Sequence, residues 1–339
     1  MTQLIKSPAK SKKIVVIGGG TGTYVVLTGL KKYKDLDLSV IVSMMDSGGS
    51  NRVIRDEFGL LPTSDLRQCM VALASEDSDE LLRKLFTYRY NQGTGITGMT
   101  FGNLFMAALT DIYGSQREAI ERTCKLLGVR GKIIPVTYDD SHLVARYENG
   151  KQILGEHAID EPKPEIAGFK IIELEIFPPA KANKDALNAI LEADLIILGP
   201  GDLYTSILSN LVVDGTAGAV KKSKAQKAYV VNLMTRYGQT NNFTAKDHLI
   251  ELEKYIGKGI VDICLTNKSA SFPEKILKRY KEERAYPVKD DLGNPRRPKV
   301  IRADLVSRKV YEKPKSDKLM RSLIRHDPDK LAAVIISLL

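Results

Sequence analysis

Short apolar runs recur along the chain, each separated from the next by a stretch of helical length with one apolar face. Runs at residues 14–17, 38–44, 131–136, 195–198, 227–233, 260–266 and 299–303 read as strands, most of them buried on both faces as a parallel sheet requires. Between them, helical spacing predicts helices over 21–33, 64–74, 79–88, 104–113, 115–127, 184–193, 245–255 and 274–283. Asp327 before Pro328 is a helix-start signal for a last apolar helix running to Leu339. From Tyr138 to Ile176 the period shortens to alternating strands, with turn signals at Glu148-Asn149-Gly150 and around Pro162 and Pro164. The expected architecture is α/β: a doubly wound, mostly parallel sheet in one domain over residues 13–339, with a small antiparallel hairpin insertion at about 138–180. Residues 1–12 read as a flexible basic tail.

Four polar, glycine-rich loops follow strands or open helices. The first, Gly18-Gly19-Gly20-Thr21-Gly22, ends a strand and begins a helix. Bare backbone N–H groups and a positive helix end there offer a place for phosphate. The dinucleotide fingerprint is broken at Thr23, and no Gly-Lys-Ser/Thr follows, so neither named phosphate motif applies. The second loop is Asp46-Ser47-Gly48-Gly49-Ser50-Asn51-Arg52. Asp46 suits Mg²⁺ beside a phosphate, or else a turn aspartate bonding its own backbone. Arg52 suits a bidentate phosphate contact. Asp65 and Arg67 either frame the site as an ion pair or occupy a first helical turn. The third loop ends in Phe101-Gly102-Asn103, where Asn103 serves either ribose or phosphate, or a plain helix cap. The fourth, Gly199-Pro200-Gly201-Asp202-Leu203-Tyr204-Thr205-Ser206, carries three hydroxyls after its turn. Parallel neighbours would place such loops side by side, where open α/β sheets take ligands. No nucleophile, general base or Ser–His–acid triad can be read from spacing.

Composition narrows the classes. The 51 basic against 41 acidic residues give a net charge of +10, favouring anionic partners. An aromatic content of 6% without Trp, and the lack of any nucleic-acid motif, argue against RNA or DNA. No apolar run spans a bilayer, and no secretory h-region opens the chain. The three cysteines, Cys69, Cys124 and Cys264, are far apart and read as buried free thiols of a reducing cytosol. The four histidines form no zinc spacing.

With Asn232-Leu233-Met234-Thr235 and Arg325-His326-Asp327-Pro328, seven ordered motifs resemble those of the YvcK-like gluconeogenesis factors in the CofD-like superfamily. The resemblance extends from Lys13 to Leu339. It implies a Rossmann-type fold whose cleft takes a nucleotide. It further implies a cytoplasmic protein that binds a UDP-sugar such as UDP-N-acetylglucosamine and regulates cell shape and wall synthesis during gluconeogenic growth. The alternative is a Mg²⁺-dependent transferase of the CofD branch, moving a phospholactate-type group from a nucleotide-activated donor. A nicotinamide-dependent oxidoreductase ranks third. On the resemblance, Gly19, Gly20, Thr21, Gly22, Asp46 to Ser50, Arg52, Asp65, Asn103, Gly201, Tyr204, Thr205 and Ser206 surround the ligand. Tyr280 stacks on the base and Arg325 touches the diphosphate. Any Mg²⁺ falls to Asp46. Homo-oligomers and regulatory protein partners stay open.

Three departures from the family pattern stand out. Ser47 replaces a second acid, Thr63-Ser64 replaces Pro-Gly, and Arg236-Tyr237-Gly238-Gln239-Thr240 loses an acid and gains a base where the family tends to carry Gln-x-Gly-Glu-Thr. Together they predict a more positive cleft.

Overall fold

The computed structural model describes residues 11–75, 80–268, 272, 274–309 and 323–339. Most of the predicted basic tail lies outside them, and the first strand already begins at Lys12. Ten strands are described: β1 (Lys12–Gly18), β2 (Leu36–Val42), β3 (Lys132–Pro135), β4 (His142–Tyr147), β5 (Gln152–Leu154), β6 (Ile171–Phe177), β7 (Leu195–Leu198), β8 (Gln226–Val230), β9 (Ile263–Asn267) and β10 (Lys299–Ala303). Seven of them form one parallel sheet in the order β10-β9-β8-β7-β1-β2-β3. The remaining three form a small antiparallel sheet, β5-β4-β6, inside the predicted insertion.

The large sheet is covered on both faces. Successive residues of β1 point to opposite sides: Ile14 and Val16 enter one core cluster, Val15 and Ile17 the other. That is why its apolar run is continuous rather than alternating. The insertion closes the second cluster from one end, with Leu143, Ala145 and Tyr147 of β4 buried among residues of the main sheet.

Helices fall near their expected places, from Gly20–Leu30 after β1 to Pro328–Ile336 at the end. Inside the insertion, short helices at Glu156–Asp160 and Pro164–Ala167 stand where alternating strands were expected, and two stretches of the main domain also depart from expectation. The second glycine loop does not run on through Arg52; a helix occupies Gly49–Phe58, ended by Gly59 in the left-handed region at φ 62°. Adjacent glycines obscured a helix whose buried face is short, mainly Ser50, Asn51 and Ile54. After Gly201 the chain winds into a π-helical turn at Leu203–Leu208, then into short helices at Ser209–Leu211 and Thr216–Lys222, where no helix was expected. Small and β-branched residues there give weak periodicity. Among the described residues no helix is long and apolar enough to cross a membrane.

Candidate functional site

The chain leaves β1 toward β2 and β3, then returns to β7 on the other side of β1. The loops after β1 and β7 therefore diverge at a switch in strand order, where open α/β sheets form a crevice. A cavity of about 230 Å³ opens there. Gly19, Gly20, Thr21 and Gly22 line it from the loop after β1, and Asp46, Gly48 and Ser50 from that after β2. Gly201, Thr205 and Ser206 contribute from the loop after β7, with Asp65, Tyr280 and Arg325 completing the predicted residues in the lining.

Close backbone approach explains two of these glycines. A Cβ on Gly22 would lie 2.1 Å from the Pro200 carbonyl oxygen, so the loops after β1 and β7 touch through main chain alone. A Cβ on Gly19 would lie 2.2 Å from Asp65 Oδ2, which places a carboxylate against the start of the helix Gly20–Leu30. That helix has no side-chain N-cap and no acidic residue in its own first turn.

Five predicted residues lie outside the lining. Asn103 is wholly buried behind the wall: its Nδ2 donates to Ser50 Oγ (3.0 Å) and Ser64 Oγ (3.1 Å), and its Oδ1 accepts from Arg67 Nε (3.2 Å). Tyr204 is also buried, its hydroxyl donating to the Ile171 carbonyl at 3.3 Å beneath the insertion. Arg52 stands on the exposed face of its helix, 3.5 Å from Asp56. Ser47 ties its loop to the insertion, Oγ accepting from the His157 N–H at 3.0 Å. Gly49 is the first residue of the unexpected helix, at φ 50°.

Asp46 and Tyr280 reach the cavity with part of their chemistry committed. Asp46 Oδ1 accepts from the Gly48 N–H at 2.8 Å, and Oδ2 accepts from Asn51 Nδ2. Among the described residues no group of three or more His, Cys, Asp or Glu side chains is arranged to hold a metal. Tyr280 packs with Leu233, Ala285 and Ile324, and its hydroxyl accepts from the backbone N–H of Leu323 (2.9 Å) and Ile324 (3.2 Å).

Residues outside every quoted motif complete the lining. The short helix Glu156–Asp160 of the insertion supplies Glu156, His157 and Asp160. Burial raises the carboxyls of Asp46 and Glu156, and for Glu156 the neighbouring Asp46 adds to the rise. Burial raises Asp160 to about 7 against the opposing pull of Arg236. His326 also lines the cavity, and burial lowers its imidazole to about 4. Nothing in the pattern around residues 156–160 signals a site; only the strand register brings it over the loop after β2.

The lining holds six carboxylic residues, Asp46, Asp65, Glu156, Asp160, Asp202 and Glu283, against four arginines, Arg67, Arg89, Arg236 and Arg325. Three of these acids, Asp46, Glu156 and Asp160, are the ones whose carboxyls burial raises, so the count of groups is not a count of charges. Two of them, Glu156 and Asp160, come from the insertion.

Comparison with known proteins agrees with this architecture. The family model of the 2-phospho-L-lactate transferase CofD matches residues 14–306. A "Putative gluconeogenesis factor" of Aquifex aeolicus is 42% identical over 338 residues, covering 97% of both chains. The "Gluconeogenesis factor" of Bacillus subtilis is 38% identical, covering 96% of this chain and 98% of its own. A crystal structure of a Bacillus halodurans protein superposes with a TM-score of 0.86 at 35% identity, covering 96% of this chain and all of that one. The shared motifs, the sheet order and the full-length identity lead to one assignment: the chain belongs to the CofD-like family, among its gluconeogenesis factors of the YvcK type.

Proposed function

We propose that this protein binds a UDP-sugar, with UDP-N-acetylglucosamine the first candidate, and acts in the cytoplasm as a regulator of carbon flow into the cell wall during gluconeogenic growth. The observation that carries the reading is the convergence of the loops after β1, β2, β7 and β8, together with Tyr280 and Arg325, on one cavity at the switch in strand order. The main chain of Gly20, Thr21 and Gly22 in the lining suits the diphosphate, Arg325 adds a charge to it, and the Tyr280 ring, buried but in the lining, offers a face to the base. Thr205 and Ser206 offer hydroxyls to ribose or sugar. Binding is the role proposed first; group transfer, which needs no protein nucleophile, is the alternative the ligand panel separates.

A ligand that binds only the folded protein raises its melting temperature. A panel of UDP-sugars, GDP and NADP⁺, each with and without Mg²⁺, separates the readings. Stabilisation by UDP-sugars without added Mg²⁺ supports the proposal, and Arg325→Ala is expected to abolish it while the protein still melts cooperatively. Stabilisation only by GDP-type ligands with Mg²⁺ favours a CofD-type transferase, and stabilisation by NADP⁺ alone overturns both.

A further inference from the structure

The loop after β8 and the insertion meet at one carboxylate. Arg236 Nη2 donates to Asp160 Oδ2 at 2.8 Å, and Gln239 Nε2 donates to Asp160 Oδ1 at 2.8 Å. Both residues are held by their own backbone. The Arg236 N–H donates to Thr240 Oγ1 (2.8 Å), and its carbonyl accepts from the N–H of Gln239 (3.1 Å) and Thr240 (2.8 Å). The same loop is locked to the insertion, because a Cβ on Gly238 would lie 2.4 Å from Pro162, and Asn241 Nδ2 donates to the Ala167 carbonyl at 2.7 Å. Arg236 thus stands in the cavity lining on a rigid support. Its side chain is only 16% exposed, and its Nε is buried without a hydrogen-bond partner.

A nucleotide sugar brings two negative charges into a lining already richer in carboxylates than in guanidinium groups. At close range in a partly buried site, such repulsion is too large to leave uncompensated. A divalent cation carried in on the diphosphate is one remedy. The other remedy is a proton. Asp160 is the group placed to take it: Asp202 faces it from the loop after β7, Asp46 from that after β2, and Glu156 and Glu161 from its own helix, while Arg236 and Gln239 oppose them from the loop after β8.

We propose that Arg236 is a further contact for the ligand's diphosphate and that Asp160 positions it, completing its protonation from solvent as the ligand binds. The inference rests on the reading of the cavity as a nucleotide-sugar site. In the empty protein Asp160 is the carboxylate hydrogen-bonded to the guanidinium, with Asp202 and Glu161 also acting on it. A bound diphosphate draws on the same guanidinium and adds negative charge beside the carboxylate, which raises the affinity of Asp160 for its proton. Burial raises Asp160 to about 7, so added negative charge beside it shifts its protonation near neutral pH. Gln239 makes the neutral form easy to house, because its Oε1 is buried without a partner and a rotated amide can accept from a protonated or amide side chain at 160.

By linkage, affinity falls as pH rises above neutrality, by up to about tenfold per unit for one proton. The test is calorimetric titration of the full chain with UDP-N-acetylglucosamine, whose doubly esterified diphosphate does not itself titrate near pH 7. Two buffers of different ionisation enthalpy then report the protons taken up. The wild type is expected to take up a fraction of a proton. Asp160→Asn is expected to take up none and to bind with a pH-independent affinity. Arg236→Gln should weaken binding by about tenfold or more, and Arg236→Lys should restore part of it. Should Asp160→Asn fail to fold, the fall in wild-type affinity with rising pH decides alone. Binding without proton uptake, or binding that needs Mg²⁺ in place of it, overturns this inference and leaves the function standing. No binding of UDP-N-acetylglucosamine overturns both.

Discussion

The two walls of the cavity are made of different material. On the side of β1 and β7 the wall is main chain: Gly19, Gly22, Pro200 and Gly201, packed so that an added Cβ at Gly22 meets a carbonyl oxygen at 2.1 Å. On the side of the insertion and β8 it is side chain: Glu156, His157 and Asp160 facing Arg236. A backbone wall takes its shape from the sheet, and its NH groups stay in place whatever the pH. A side-chain wall keeps its shape under conservative exchange, but its charge depends on protons and on one or two residue identities. Damage to the first should register as lost stability, and damage to the second as altered binding.

The sharpest way to break that distinction is Gly22→Ala. Neither Gly22 nor Pro200 can yield without moving a loop, so overpacking should cost about 3 kcal/mol or more, read by urea unfolding. Ligand binding should fall with it. If Gly22→Ala unfolds like the parent, the backbone wall is looser than its geometry implies, and the contrast fails.

Acid comes next. His326 is neutral when folded, because burial lowers its imidazole to about 4. The unfolded chain binds a proton near the ordinary histidine value, so the stability present above that value is lost as pH falls toward 4. The loss attributable to this group approaches about 3 kcal/mol. Melting temperatures of the unliganded protein between neutral and acid pH, compared with those of His326→Leu, measure it. Equal acid sensitivity in both would show that His326 is not the proton acceptor.

Asn103→Ala should cost about 2 kcal/mol, since it leaves Ser64 Oγ, Ser50 Oγ and Arg67 Nε in buried surroundings without this partner. Unfolding in denaturant reads it directly. The unliganded protein should lose stability, while any residual ligand affinity keeps the parent's pH dependence, because Asn103 bonds to Ser50, Ser64 and Arg67 and not to Asp160 or Arg236.

Sequence legibility divided along the same line. A strand, a glycine turn and a helix start are local features, so residues 14–30 disclosed both the fold and the backbone wall. The helix Glu156–Asp160 carries no comparable signal. It reaches the site only because β4 and β6 pair antiparallel and carry it over the loop after β2, a long-range consequence. Asn103 and Tyr204 show the converse. Each follows a glycine-bearing motif, yet packing turns each inward, and no spacing rule distinguishes a buried support from a ligand contact. The helix Gly49–Phe58 was hidden for a third reason: flanking glycines outweighed its few apolar residues.

The smallest effect tests what stands behind the backbone wall. Asp327 caps the last helix, its Oδ1 accepting from the N–H of Asp329 (3.0 Å) and Lys330 (3.1 Å). That helix presses on the helix after β1, where a Cβ on Gly29 would lie 2.1 Å from the Pro328 carbonyl oxygen. Removing the cap in Asp327→Ala should cost about 1 kcal/mol, read as a small fall in the unliganded melting temperature. Since the loss acts through the support of the main-chain wall, the number of protons taken up on ligand binding should not change. A change in proton uptake would mean that the last helix also governs the Asp160 side, and the two walls would then have to be treated as one mechanical unit.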